Sequence, residues 1–113
     1  GLQKARDAFG IEIKAVESRQ NADYVPNLTQ CAKAGYDIVF AVGFLMRDAL
    51  EEVARRFPDT RFALIDADAP DLPNCVAYTF REQEGAFLVG ALAALTSKSR
   101  TIGFVGGMEV PLI

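Results

Sequence analysis

The sequence predicts an α/β fold, a doubly wound parallel sheet, and three observations carry that expectation. The run Ile38-Val39-Phe40-Ala41-Val42 is apolar without alternation and stops abruptly at Gly43-Phe44. Unbroken runs rich in Val and Phe suit strands of a parallel sheet covered by helices, where neither face meets water. A second such run, Phe62-Ala63-Leu64-Ile65, ends at Asp66. Around both runs lie stretches with apolar residues at helical spacing and short joining loops, the alternation that builds βαβ units.

Taken in order, Leu2, Ala5 and Phe9 fall on one helical face, and Gly10 closes that segment as a C-terminal stop. Ile11, Ile13 and Ala15 then alternate with Glu12, Lys14 and Val16, so 11–17 reads as a strand buried mainly on one face, toward a sheet edge. Asp23 is placed to cap a helix with Pro26 in its first turn, where a missing N–H leaves no bond unmade. Its buried stripe is Tyr24, Leu28, Cys31 and Ala32, and Gly35 ends it. Past the strand 38–42, Met46, Ala49, Leu50, Val53 and Phe57 form a second helical stripe opposite Arg47, Asp48, Glu51, Glu52 and Arg55, with Pro58-Asp59 as its stop.

The strand 61–66 leads through a proline-containing loop to a further strand-like run, Cys75 to Phe80. Glu82 or Gln83 opens a helix in which Phe87, Leu88, Leu92 and Leu95 alternate with small residues. A helical glycine costs about 1 kcal/mol against alanine, so Gly90 predicts close approach by a neighbouring backbone. Thr101 to Val105 reads as a fifth strand running into Gly106-Gly107-Met108-Glu109. The chain opens within a helix at Gly1 and stops at Pro111-Leu112-Ile113 just after a loop, so it reads as an excerpt of something longer.

Composition narrows the chemistry. A formal net charge of -3 with Arg55-Arg56 as the only basic pair argues against a nucleic-acid-binding surface. The chain has no histidine, which removes Ser-His and Cys-His catalysis and His-containing metal sites. Cys31 and Cys75 have no metal-ligand or redox spacing and read as unpaired, partly buried thiols, with a disulfide as the alternative. No apolar run approaches the length of a membrane-spanning helix. Gly103-Phe104-Val105-Gly106-Gly107 does not fit the dinucleotide fingerprint, and P-loop spacing is missing.

In an open parallel sheet, ligands bind outside the carboxyl ends of the strands. Strand ends at Gly43-Phe44, Asp66-Ala67-Asp68 and Gly106-Gly107-Met108 are then expected along one rim. Asp66 stands out: a carboxylate there accepts hydrogen bonds from adjacent hydroxyls such as those of a sugar, or else caps a turn. Phe44 either stacks on a ligand or closes the core beneath its loop. Gly43, Gly106 and Gly107 permit tight turns and close approach of a ligand to the backbone. Asp68 reads as a solvated loop residue.

These residues together resemble the basic membrane protein family, the substrate-binding lipoproteins of ABC transporters that include purine-nucleoside binders. The resemblance runs through Glu17-Ser18, Asp23-Tyr24, Pro26-Asn27-Leu28, Gly35-Tyr36-Asp37, Val42-Gly43-Phe44, Asp48-Ala49-Leu50, Phe62, Ile65-Asp66, Phe80, Glu84-Gly85 and Gly90. It ends on Ile102-Gly103-Phe104-Val105-Gly106-Gly107-Met108. It implies a type I periplasmic-binding-protein fold of two hinged lobes, with residues 1–113 as a partial N-terminal lobe lacking its first strand. It further implies that Asp66, Phe44, Gly43, Gly106, Gly107 and Met108 line the ligand cleft. Ala67 stands where some sugar-binding relatives of this fold carry an arginine, which makes a plain sugar a poorer expectation than a nucleoside.

The function so implied is non-catalytic capture of a small solute, a purine nucleoside above all, for delivery to an ABC-transporter permease. It requires no cofactor, metal or nucleic acid. The resemblance places the protein in the periplasm or on the outer face of the cell membrane, with membrane contact only through a lipid anchor outside this chain. The alternatives are a ligand-sensing regulator on the same fold and an enzyme using Asp66 as acid or base. With the first strand absent, 12–17 and 37–42 are expected to face an empty slot with unpaired backbone, and these 113 residues alone are expected to bind no nucleoside usefully.

Overall fold

The computed structural model describes residues 1–108; residues 109–113, with Glu109 and Pro111-Leu112-Ile113 of the sequence reading, lie outside them. In chain order the elements are α1 (Leu2–Phe9), α2 (Tyr24–Lys33), β1 (Ile38–Val42), α3 (Arg47–Arg56), β2 (Arg61–Ile65), β3 (Cys75–Tyr78) and α4 (Glu82–Thr96). Short 3-10 turns precede α2 at Asn21–Asp23 and α3 at Phe44–Met46. The strands form one parallel sheet in the order β1-β2-β3, so the expected α/β architecture with a parallel sheet is present.

The core lies between one face of this sheet and the pair α2 and α3. Val39, Ala41, Phe62 and Leu64 point inward from the strands, to meet Leu28 and Ala32 of α2 and Leu50, Val53 and Ala54 of α3. Leu50, Val53 and Ala54 recur at helical spacing, which is why a segment as polar as Arg47–Arg56 folds as an amphipathic helix here. Complete burial of side chains such as Phe62 and Leu64 contributes about 1.5–3 kcal/mol each. The opposite face of α3 carries the exposed ion pairs Arg55–Glu51 at 2.6 Å and Arg56–Glu52 at 3.6 Å, which add at most a few tenths of a kcal/mol each.

Asn74 joins these layers, and nothing in the sequence pattern marked it. Its Nδ2 donates to the carbonyls of Ala54, Phe57 and Thr60 at 3.0–3.1 Å, while its backbone carbonyl accepts from the Phe62 N–H at 2.8 Å as part of the ladder between β2 and β3. The last turn of α3 and the turn into β2 therefore converge on one half-buried side-chain amide, which supplies a donor to the Ala54 carbonyl at the helix end and a second partner to the Phe57 carbonyl, already bonded by the Thr60 N–H.

At the N-terminal side, α1 ends as the sequence predicts, with Gly10 at φ 66. Asp23 does not cap α2 directly. Its carboxylate instead accepts from the N–H groups of Arg19 and Gln20 at 2.9 and 3.2 Å, fixing the turn before the helix and holding the Asp23 carboxyl below the usual range. The Arg55 hydrogen bond lowers Glu51 likewise.

Three expectations need correction. The 11–17 segment is not a strand: it carries no ladder, because the edge it would pair with is not adjacent. A groove of about 290 Å³ lies between it and β1, lined by Ile11, Ile13 and Val16 on one side and Ile38, Phe40 and Val42 on the other. Gly43 donates its N–H to Ile65 O, so the period-two alternation of a strand turns the N–H groups of Ile38, Phe40 and Val42 away from β2 toward this groove. The expected slot beside β1 is thus a physical feature, bounded by unpaired backbone.

Second, Thr101 to Val105 does not join the sheet, which ends at β3 among the described residues. Third, Gly90 meets no neighbouring backbone: a Cβ built there has no other heavy atom within 4 Å. Both follow from α4, none of whose residues is buried. Phe87, Leu88, Leu92 and Leu95 are exposed around the helix rather than along one stripe, so no single face directs α4 onto the sheet. The Cα radius of gyration is 18.2 Å, against about 13 Å for a compact domain of 100 residues. The sheet face opposite α2 and α3 likewise leaves Phe40 46% and Val42 67% exposed.

Asn74→Ala is expected to lower unfolding stability by about 1–3 kcal/mol in a urea titration, since it removes the side-chain donor from the Ala54 and Thr60 carbonyls and leaves Phe57 O with only the Thr60 N–H; a change within 0.5 kcal/mol would contradict the role given to this amide. The lowered Asp23 and Glu51 carboxyls stabilise the fold above the ordinary carboxylate range and lose that contribution as pH falls through their depressed values. The double variant Asp23→Asn, Glu51→Gln is therefore expected to show a flatter loss of urea midpoint between pH 6 and pH 3 than the parent. A steeper loss would reverse the assigned sign.

Candidate functional site

Register decides what meets at the carboxyl edge. Val42 lies beside Ile65, and Ile65 beside Tyr78, so all three strands end at one level. The ladder continues one step further: the Gly43 N–H donates to Ile65 O at 2.9 Å and the Asp66 N–H donates to Tyr78 O at 2.8 Å. Gly43-Phe44, Asp66-Ala67 and Thr79-Phe80 are consequently neighbouring exits from the sheet.

Each exit has its own backbone solution. Gly43 sits at φ 93, ψ 150, a conformation essentially confined to glycine, and this redirects the chain from β1 into the 3-10 turn that starts α3. Asp66 sits at φ 65, in the left-handed region that non-glycine residues occupy at a cost and that aspartate tolerates better than most. Its half-buried carboxylate accepts no hydrogen bond among the described residues, so it does not serve as a cap. Ala67 beneath it is buried, while Asp68 is exposed as expected. A strained backbone holding an unpartnered carboxylate at the end of the central strand is an arrangement suited to accepting hydrogen bonds from a ligand.

Phe44 is half-buried and packs against the core cluster, closing it beneath the rim while part of the ring stays accessible. The structure thus brings Gly43, Phe44 and Asp66 together. It does not bring Gly106, Gly107 and Met108 to the same edge through the sheet, because Thr101 to Val105 forms no ladder; these three residues are exposed, and among the described residues no hydrogen bond ties 102–108 to the strands. The run Cys75 to Phe80 predicts Thr79 within a strand, but β3 stops at Tyr78 and Thr79 is an exposed rim residue.

Other reactive groups lie elsewhere. Cys31 and Cys75 are free and half-buried, and both pack against the core. Burial, with the Glu51 charge behind it, pushes the Cys75 thiol up, which disfavours the nucleophilic thiolate. Among the described residues no group of three or more acidic or cysteine side chains could hold a metal ion, and no helix is long and apolar enough to cross a membrane.

Comparison with known proteins decides the family. The family model described as Bmp, ABC transporter substrate-binding protein PnrA-like, matches residues 1–113. The chain belongs to the Bmp family. It is 36% identical over 118 residues to a CD4+ T-cell-stimulating antigen of Listeria monocytogenes, covering 100% of this chain and 33% of that protein. It is 38% identical over 116 residues to basic membrane protein A of Borreliella burgdorferi, covering 100% and 34%. An uncharacterized lipoprotein of Pyrococcus horikoshii is 41% identical over 116 residues, covering 98% and 29%. Among solved structures, an ABC transporter solute-binding protein from Aeropyrum pernix superposes with a TM-score of 0.75 at 37% identity, over 82% of this chain and 26% of that one. The Bmp chain described here spans about a third of the length of these curated relatives.

Gly43→Ala tests the rim geometry directly. A Cβ at Gly43 meets no atom within 4 Å, so any cost is backbone strain and not a clash. The substitution is expected to lower stability by about 1–3 kcal/mol in chemical denaturation, and an unchanged midpoint would show that the turn into α3 does not depend on this conformation.

Proposed function

We propose that the full-length Bmp-family protein captures a small hydroxyl-bearing solute, a purine nucleoside above all, and presents it to a membrane permease without chemical change. The observation that carries this reading is the unpartnered Asp66 carboxylate at the end of the central strand, beside Gly43 and Phe44. An ionised carboxylate offers only acceptors, which matches adjacent ligand hydroxyls and repels anions. Phe44 supplies an apolar surface at the same edge for a base or sugar face.

The sheet with α2 and α3 then forms part of one of two lobes, and closure of the lobes on the solute is the functional event. Gly106, Gly107 and Met108 remain part of the proposed cleft, reached by packing outside the β1-β2-β3 sheet. The all-round apolar α4 suits a helix covered on every side in the complete protein. Family membership and relatives named lipoprotein support a location on the outer side of the cell membrane. They also support a solute and a permease as the partners and a non-catalytic role.

Calorimetric titration of the full-length protein with adenosine, guanosine, inosine and cytidine checks this. A purine nucleoside is expected to bind, and Asp66→Asn, which tolerates the same backbone conformation, is expected to weaken it by roughly 10–100-fold through loss of charge-assisted hydrogen bonds. Undiminished binding by Asp66→Asn would remove Asp66 from the site, and no binding of any nucleoside by the parent would remove the ligand class.

A further inference from the structure

We infer that Thr79 is a second ligand-contacting residue of the rim, and that Asp66 and Thr79 together form a receptor for a vicinal diol. The inference rests on the capture reading and names the part of the ligand that this edge recognises. Its basis is the register: Ile65 pairs with Tyr78, and the Asp66 N–H donates to Tyr78 O at 2.8 Å, so Thr79 follows directly beside Asp66 at the end of the adjacent strand. Neighbouring strands lie about 4.8 Å apart, a spacing that lets two side chains address adjacent atoms of one ligand.

Both groups are free to do so. Thr79 is exposed, Asp66 is half-buried, and among the described residues neither side chain has a hydrogen-bond partner. The chemistry of the two is complementary. The carboxylate only accepts, whereas the Thr79 hydroxyl both donates and accepts. Two adjacent hydroxyls can each donate to the Asp66 oxygens, and one of them in turn accepts from Thr79. Asp66 alone would bind any hydroxyl; the added donor distinguishes an oxygen from a hydrogen at the second carbon.

The test uses the full-length protein and calorimetric titration with adenosine, 2′-deoxyadenosine and 3′-deoxyadenosine. Thr79→Val, which keeps the shape and removes the hydroxyl, is expected to weaken adenosine roughly tenfold and to narrow the preference for adenosine over one of the deoxy ligands by the same factor. Thr79→Ser is expected to restore both. Thermal melting of each variant within about 2 °C of the parent confirms that an exposed position was changed without loss of fold. If the parent binds adenosine and Asp66→Asn weakens it while Thr79→Val leaves both affinity and discrimination unchanged, the diol receptor is overturned and the capture reading stands. If the parent binds no ribonucleoside, both fall together.

Discussion

In a parallel sheet every strand reaches the same edge, and the register Val42 to Ile65 to Tyr78 makes that edge level across all three strands. This pairing is the constraint on which the remaining features depend. It sets Gly43 beside Asp66 and Asp66 beside Thr79 through the continued ladder bonds to Ile65 O and Tyr78 O. It also divides the strand residues into two sets. Val39, Ala41, Phe62 and Leu64 meet α2 and α3, while Ile38, Phe40, Val42, Val76 and Tyr78 face the other way. A shift of one residue would exchange the two sets, so burial and the rim are locked to the same register.

Stability and the proposed recognition consequently occupy opposite ends of one sheet. At the amino end of β2, Asn74 gathers carbonyls from α3 and the following turn, holding the chain where it enters the strand. At the carboxyl end, the hydrogen-bonding capacity of the Asp66 side chain is unspent and the backbone at Gly43 and Asp66 is held in conformations that ordinary residues avoid. A fold can keep such a rim only because the core beneath it, from Leu50 and Val53 to Phe62 and Leu64, is completely enclosed.

The helical stripes of α2 and α3, the strands β1 and β2 and the Gly10 and Gly35 stops were legible in the sequence because each is a local pattern resolved by its own periodicity. Asp66 was legible for the same reason, as a charge ending an apolar run. Thr79 was not, since it becomes conspicuous only when β3 is aligned with β2. Asn74 was not, because its acceptors, Ala54, Phe57 and Thr60, lie 14 to 20 residues earlier in the chain and meet it only when the fold is formed. Two strands were read where the structure has none. Ile11 to Glu17 has strand alternation yet faces a groove, and Thr101 to Val105 has a strand's composition yet lies beyond a helix that does not return to the sheet. Periodicity reports a preference for extended backbone; a strand also needs a neighbour. The unbroken apolar run of β1 likewise reported two faces destined for burial, and only one is covered by helices among the described residues.

The central claim is that the level edge formed by Gly43, Phe44, Asp66 and Thr79 is where the solute is held. Amide chemical-shift mapping of the isotope-labelled full-length protein, titrated with adenosine, tests it most directly. Saturable perturbations are expected at the amides of Gly43, Phe44, Asp66 and Thr79, with the groove residues Ile11 and Ile13 unaffected. Perturbations confined to the groove, with the rim amides unmoved at saturation, would contradict it.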